Sequence, residues 1–230
     1  MNTKDFKEYG SIRTKILLRL AINVLVLILL VFSAFYFIIA KSYFNIEKDQ
    51  TIQNLQRAND ALDSLSIQLA SKLADWAFWD DTYEFVLDVN NDYIKSNLGV
   101  ASITTLKINA MLFVNNSGEI VFSKMIDLND STEVSSDDLE AHILENKMLL
   151  SHESEESVIR GIIMLSGKPM LLASRPILAS SAMGPAHGTL IFAKYLDAEE
   201  VATISDLTHL SFNVYVYGST SIPEDVAVAK

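Results

Sequence analysis

The chain of 230 residues contains no cysteine, which excludes disulfide bonds, CxxC redox motifs and thiolate zinc sites. It also has no glycine-rich phosphate loop and no nucleophile elbow. Its four histidines are scattered, without the spacing of a zinc-binding helix: His142, His152, His187 and His209. The acids between Asp127 and Asp138 lack EF-hand spacing, so we interpret them as a solvated loop. We therefore expect no metal, no cofactor and no catalytic residue, and hence no enzyme.

Basic residues are scarce beyond the N-terminal segment. Residues 41–230 contain thirteen Lys and Arg against twenty-seven Asp and Glu, a net charge of −14. Nucleic-acid binding needs Lys and Arg for phosphate contacts, so this composition argues against a nucleic-acid partner. An acidic surface suits a cationic or amine ligand, or serves solubility alone.

Charge is absent from twenty-one consecutive residues, Leu20 to Ala40. As a helix this run spans roughly 32 Å, enough to cross a hydrocarbon core of about 30 Å. Basic residues dominate before it, and aromatic residues gather at its far end, which predicts a cytoplasmic N-terminus and a periplasmic or extracellular remainder. The run is longer than the apolar region of a signal peptide, so we expect an uncleaved anchor in the lipid of the cell (inner) membrane.

An amphipathic pattern follows the anchor. Apolar residues recur at alternating spacings of three and four, interrupted by an Asn and a Ser: Ile52, Leu55, Asn59, Leu62, Ser66, Leu69, Leu73 and Trp76. This is an imperfect heptad seam. One interpretation is a signalling stalk that pairs with a second copy as a homodimer, and the other is a long helix that packs on its own domain.

The rest of the chain alternates strand and helix patterns. We predict the helix to continue through Asp75–Asp88 and a connector over Val89–Lys107. The predicted strands are Ile108–Val114, Glu119–Lys124, Ser157–Leu165, Met170–Leu178, Thr189–Leu196 and, less regular, Phe212–Tyr217. Helices are predicted over Ser135–Glu145 and after Asp197, where Glu200 completes a capping box. The hairpins predict a mainly antiparallel sheet of about five strands with helices on one side, an α+β fold of the PAS-like sensor type.

Aromatic and acidic residues are densest between Asp75 and Phe85, a segment that holds both tryptophans of the chain. On a continuous helix four of its residues share one face: Trp76, Trp79, Asp80 and Tyr83. Such a face can bind a cationic or amine ligand through ring and carboxylate contacts. The alternative is that the rings pack against the sheet while Asp80 caps or pairs locally.

Arg175 is the second candidate for ligand binding. Strand alternation places it on the same side as Leu171, Ala173 and Ile177. A guanidinium on an apolar face requires a partner. That partner is either a ligand carboxylate, held by two hydrogen bonds, or Asp80 or Asp81 in a structural ion pair.

Two separated motifs resemble the type-four CHASE domain, the cyclase- and histidine-kinase-associated sensory extracellular domain. The first comprises Asp75-Trp76-Ala77, Trp79-Asp80-Asp81-Thr82-Tyr83, Asn91, Tyr93-Ile94 and Asn97. The second comprises Ser174-Arg175-Pro176-Ile177, Gly184-Pro185 and Gly188-Thr189-Leu190, with Ile120-Val121 after Gly118 between them. The resemblance covers roughly residues 45–215 and implies an extracytoplasmic, Cache-like sensor. Such sensors usually lie between two transmembrane helices and precede a histidine kinase or diguanylate cyclase module.

These observations predict five segments: a basic cytoplasmic tail (1–15), a transmembrane helix (16–40), a stalk helix (41–75), a sensor domain (76–218) and a C-terminal tail (219–230). No second apolar run follows, so we expect a fragment of a longer receptor. The leading hypothesis is a sensor that binds a small molecule or partner protein and relays the signal through the juxtamembrane helix. The alternative is a membrane-anchored interaction or scaffold domain without a ligand pocket.

Overall fold

The structure is a computed structural model that describes residues 12–181 and 184–215, apart from the side chains of Ala40 and Asn45. Its first helix, α1 (Ile12–Ala77), is 66 residues long. The chain divides into two compact units, Met1–Gln56 and Arg57–Lys230, and α1 contributes residues to both.

In the first unit, nearly all described side chains of α1 are exposed, including the aromatic residues at the end of the apolar run. Among the described residues, α1 is the one helix long and apolar enough to cross a membrane, by length and composition. Exposed Leu, Ile, Val and Phe on every side of a helix are unfavourable in water and favourable in lipid.

A six-stranded antiparallel sheet forms the centre of the second unit, with the order β3-β2-β1-β6-β5-β4. The strands are β1 (Ala110–Asn115), β2 (Ile120–Asp127), β3 (Thr132–Val134), β4 (Ile159–Leu165), β5 (Lys168–Ile177) and β6 (Gly188–Tyr195). The predicted α+β fold is therefore confirmed, with one strand more than the five expected. The additional strand β3 is too short and polar to show periodicity, and its three residues are exposed.

Five further helices surround the sheet: α2 (Asp80–Asp88), α3 (Asn91–Asn97), α4 (Val100–Leu106), α5 (Asp137–Glu145) and α6 (Ala198–Thr208). A 3-10 turn, Lys147–Leu150, follows α5. Asp197 caps α6 by accepting hydrogen bonds from the Glu199 and Glu200 amides, as predicted.

The sheet is covered on both faces, not on one as predicted. Phe113, Leu171 and Phe192 point to one face, where they pack with α1, α2 and α3. Leu112 and Leu172, one position along, point to the other face, where α5 packs. Because alternate side chains of a strand point to opposite faces, strands that are buried on both faces read as continuous apolar runs, as β5 and β6 do.

Gly188, the first residue of β6, lies where its strand approaches β1 closely. A Cβ at this position would stand 2.2 Å from the Val114 carbonyl oxygen. Only glycine fits there without a shift of one strand.

Three local predictions were wrong. The segment Asp75–Asp88 is not one helix, because α1 ends at Ala77 and α2 begins at Asp80. The predicted connector Val89–Lys107 contains α3 and α4, both only seven residues long, too short for a periodic pattern. Phe212–Tyr215 form no strand, and the last two residues of the predicted strand lie outside the described part.

Each of the two interpretations of the heptad seam fits one half of it. Leu69 and Leu73 are buried in the core of their own domain, with Leu62 packed beside them. Ile52 and Leu55 are exposed, at 44% and 66%. The second half of the seam is thus intramolecular, and only the first half is available to a second chain.

Candidate functional site

The candidate site is the junction between α1 and α2, where a two-residue break interrupts the helix. Trp79 is extended (φ −104°, ψ 132°), and its carbonyl accepts the first hydrogen bond of α2, from the Tyr83 amide at 2.9 Å. The Ala77 carbonyl instead accepts from the Leu178 amide, just after β5, at 2.9 Å. The end of α1 is therefore joined directly to the end of β5.

Both tryptophans lie at this junction and are packed. Trp76 makes edge contacts with Trp79 and Phe192, at ring-centroid distances of 5.9 and 6.5 Å. Trp79 also contacts Tyr93 at 5.9 Å and is 36% exposed. Trp76 thus packs against the sheet through Phe192, as the alternative interpretation describes, whereas Trp79 is partly accessible.

Asp80 and Tyr83 both contact the loop between β5 and β6. The Asp80 carboxylate accepts a hydrogen bond from the Ser180 amide at 2.7 Å. The Tyr83 hydroxyl donates to the Pro185 carbonyl at 3.1 Å, and its ring stacks on His187 at 3.5 Å. These contacts fasten the start of α2 to the loop, so that Asp80 and Tyr83 have structural partners.

Arg175 lies near the end of β5 with its guanidinium over the Phe78 ring, 4.5 Å from the ring centroid. Its Nε is the one buried side-chain nitrogen or oxygen among the described residues that lacks a hydrogen-bond partner. Burial lowers the Arg175 pKa, and the charge of Glu156 opposes that shift. No described carboxylate lies within ion-pair distance, so the predicted structural pair with Asp80 or Asp81 is not formed.

His152 is a neighbour of Arg175 that sequence reasoning missed. Its Nε2 lies 3.2 Å from the Ser174 hydroxyl, and its Nδ1 lies 3.3 Å from the Ser157 hydroxyl. Burial, together with the positive charge of Arg175, lowers the His152 pKa to about 4. His152 is thus a neutral imidazole that holds the segment before β4 against β5.

Trp79 also borders a surface depression of about 380 Å³ that contains three carboxylates, those of Asp81, Glu84 and Asp92. Tyr93 forms its floor with a buried hydroxyl 2.6 Å from the Thr82 hydroxyl, and burial raises the Tyr93 pKa to about 12. Glu84, Asp92 and Tyr93 were not among the predicted site residues. They join Trp79 only because the chain turns back at Asn90, which caps α3.

The five predicted site residues therefore do not form one surface but make different contacts around the junction. Phe78 connects Arg175 to the end of α1, Asp80 and Tyr83 bind the β5–β6 loop, and the two tryptophans link α1 to the core. The break at Phe78 and Trp79 removes the single helix face on which four of them were predicted to lie.

Comparison with known proteins identifies the family of this chain. The family model described as "CHASE4 domain" matches residues 61–215. A curated relative, the methanogenesis regulatory histidine kinase FilI of Methanothrix harundinacea (strain 6Ac), is 29% identical over 170 residues. The alignment covers 73% of this chain and 18% of FilI, so the chain spans less than a fifth of that relative.

Two solved structures align with part of this chain. The extracellular domain of vpHK1S-Z8 aligns with a TM-score of 0.47 at 11% identity, over 68% of this chain and 60% of that one. The periplasmic domain of LuxQ from Vibrio cholerae aligns with a TM-score of 0.42 at 10% identity, over 76% of this chain and 81% of that one.

Proposed function

This chain belongs to the CHASE4 family, and on that premise we propose that it is the extracytoplasmic sensor region of a membrane signal-transduction receptor. The relative FilI, which matches 73% of this chain, is a regulatory histidine kinase. In our proposal a small ligand binds at the α1–α2 junction, and the signal passes through α1. A histidine kinase or diguanylate cyclase module would complete the receptor, and a transmembrane run with a kinase or cyclase signature in the gene after Lys230 would test this.

The observation that carries the proposal is the buried Nε of Arg175, which has no hydrogen-bond partner among the described residues. A buried guanidinium nitrogen without a hydrogen bond costs about 1–3 kcal/mol, a cost that a purely structural residue has no reason to retain. A ligand carboxylate would supply the missing acceptor through two hydrogen bonds. We therefore assign Arg175 to an anionic group of the ligand.

The place of Arg175 suggests how binding would reach the membrane. Phe78, under the guanidinium, is the first residue after α1, and the Ala77 carbonyl bonds to Leu178 beyond the same strand. An anion bound to Arg175 would favour one position of this junction over another. The populations of two states of α1 would then change. In this mechanism Trp76, Trp79, Asp80 and Tyr83 position the junction, with Trp79 left accessible for a ligand ring or ammonium group.

The rival function is an interaction or scaffold domain without a ligand pocket. The packed Trp76 and the structural hydrogen bonds of Asp80 and Tyr83 favour it. It gives no reason for Arg175 to remain unpaired.

Substitution of Arg175 by Met separates these alternatives. Removing the guanidinium recovers the cost of the unpaired nitrogen, about 1–3 kcal/mol, but loses the contact with Phe78, about 0.5–2 kcal/mol. We therefore expect Arg175→Met to lie between about 1 kcal/mol less stable and about 2.5 kcal/mol more stable than wild type. Small carboxylates that raise the melting temperature of the wild-type chain should lose that effect in the variant.

Arg160→Met is the matched control, because Arg160 lies on the neighbouring strand and pairs with Asp63 at the surface. It should keep the response to carboxylates. Destabilisation of Arg175→Met by more than about 2 kcal/mol would assign Arg175 to a structural role. Equal carboxylate responses in the two variants would also reject the assignment.

We further propose that the chain forms a homodimer through the exposed first half of the heptad seam, with the N-terminus in the cytoplasm. A single cysteine at Leu55, which is 66% exposed, should form an intermolecular disulfide in membranes under oxidation, because facing seam positions of a coiled coil lie close together. A cysteine at Leu73, which is fully buried, is the control and should not cross-link. Failure of Leu55→Cys and Ile52→Cys to link would exclude this dimer.

A further inference from the structure

A cavity of about 460 Å³ opens at the opposite end of the sheet strands from the α1–α2 junction. It lies where β2 and β6 end and β5 begins, and the first turn of α5 closes one side. Its volume falls in the range of small-molecule sites, about 300–1,000 Å³. None of the five residues assigned to the junction site lines it.

The wall of the cavity is partly apolar and partly polar. Met125, Leu139 and Leu165 line it and are each at least nine-tenths buried. These residues come from β2, α5 and β4, so three elements hold the walls in place. An apolar surface of this kind favours the hydrocarbon or ring portion of a ligand.

Charged groups form part of the wall. Among the described residues, Asp127, Asp138 and Asp197 line the cavity together with one cation, Lys168. One oxygen of Asp138 accepts a hydrogen bond from Ser166, and one of Asp127 accepts from Asn129. The second oxygen of each carboxylate has no such bond within the described chain.

Tyr195 places an aromatic ring beside these carboxylates. Burial and the nearby charges of Asp138 and Asp127 raise the Tyr195 pKa, so its hydroxyl stays protonated. The Lys168 ammonium lies over the Tyr195 ring, 5.7 Å from its centroid, and pairs with no described carboxylate. The Tyr195 ring thus already makes a cation–π contact with Lys168.

We propose that this cavity is a second ligand site, which binds a small organic cation with an apolar body. The ammonium group lies between Asp127 and Asp138, against Tyr195, and the apolar body lies against the apolar part of the wall, which includes the exposed Val134. Lys168 already lies over the same ring and adds a positive charge to the cavity, so it weakens binding.

The competition by Lys168 gives the proposal a gain-of-affinity test. Phenethylamine is a suitable probe. 2-Phenylethanol and 3-phenylpropionate carry the same phenyl group with a neutral and an anionic end, and they serve as comparison compounds. Each is titrated by calorimetry into the full chain in lipid nanodiscs. We expect the amine to bind about tenfold more tightly than either, the equivalent of one charge-assisted hydrogen bond. Lys168→Met should tighten amine binding, and misfolding cannot mimic that result.

Three further variants locate the binding. Asp138→Asn should weaken amine binding about tenfold, since it removes the charge that faces the cavity. Asp137→Asn is the matched control, because Asp137 is the neighbouring acid and does not line the cavity, and it should leave binding unchanged. Val134→Trp should abolish binding by filling the mouth of the cavity, which Val134 lines.

Several results would overturn the proposal. The first is that phenethylamine shows no measurable binding at millimolar concentration. The second is that 3-phenylpropionate binds as tightly as the amine or more tightly. The third is that Asp137→Asn and Asp138→Asn have equal effects on amine binding. Retained binding in a folded Val134→Trp variant would place the amine on the acidic surface instead. Arg175→Met should not change amine binding, and a change would mean that the two sites are not independent.

Discussion

Glu200→Gln is expected to lower the free energy of unfolding by about 2 kcal/mol, because it leaves two partly buried cations without their anion. Glu200, in the first turn of α6, is 6% exposed and forms an ion pair with the half-buried Lys194 of β6. Lys72 of α1 shares this environment. Its ammonium donates to the Leu106 carbonyl at 2.7 Å, and burial and Lys194 lower its pKa while Glu200 opposes that shift.

The effect follows from the charges that remain. With Glu200 in place, two ammonium groups share one carboxylate within the same buried region. Glutamine keeps the shape and one acceptor oxygen but removes the only negative charge among these three groups. The loss falls on the contact between α1, β6 and α6, so it also loosens the helix that we propose to carry the signal.

Chemical denaturation, extrapolated to water, measures this loss. Glu199→Gln is the matched control, since Glu199 is the exposed neighbour in the same turn, and it should change stability by less than about 0.5 kcal/mol. The double variant Lys194→Met, Glu200→Leu should recover most of the stability, because replacing both charges removes the unpaired cation. A single variant as stable as wild type would show that Lys194 finds another partner or is hydrated.

Long periodic segments made the fold predictable. The anchor, the five longer strands and the capped α6 follow from runs of apolar residues, turn residues and Asp197. The helix break was not predictable, because Trp76, Trp79 and Tyr83 keep helical spacing across it. The break exists because Leu178, a hundred residues away, takes the Ala77 carbonyl.

The site was predictable only in part, for a related reason. Arg175 stands out in the sequence, since a guanidinium on an apolar strand face is unusual in any fold. Its neighbours Phe78 and His152 come from the end of a helix and from a loop, and only tertiary packing brings them there. The cavity beside Tyr195 depends on four chain segments that meet at one end of the sheet, so no local pattern indicates it.

Acidification is expected to destabilise the sensor through His152, by as much as about 3 kcal/mol between pH 6.5 and pH 4. In the fold the pKa of His152 is lowered from 6.5 to about 4, so that the unfolded chain binds this proton more readily than the folded chain. Stability is therefore complete above pH 6.5, falls as the pH decreases towards 4, and shows no further loss from this group below that. At about 1.4 kcal/mol for each pKa unit the shift corresponds to about 3 kcal/mol, which is an upper limit because His152 is half-buried and solvent screens its charge.

The hydrogen bonds of His152 explain why the neutral ring is preferred. Ser174, which is fully buried, donates its hydroxyl hydrogen to the Leu149 carbonyl, so it accepts from His152 Nε2. His152 Nδ1 is then an acceptor for the Ser157 hydroxyl. A second proton on the ring would remove that acceptor and add a positive charge beside Arg175, without a compensating carboxylate in contact.

Denaturation curves at several pH values between 4 and 7.5 measure this effect as the difference between wild type and His152→Gln. The variant should lose the His152 part of the pH dependence, and His142→Gln, a substitution on α5, should retain it. Equal slopes in wild type and His152→Gln would reject the assignment.

Arg175→Met should also reduce the acid sensitivity, because it removes the positive charge that helps to keep His152 neutral. An anion bound at Arg175 would act in the same direction, so ligand binding at the proposed site and protonation of His152 are expected to favour each other.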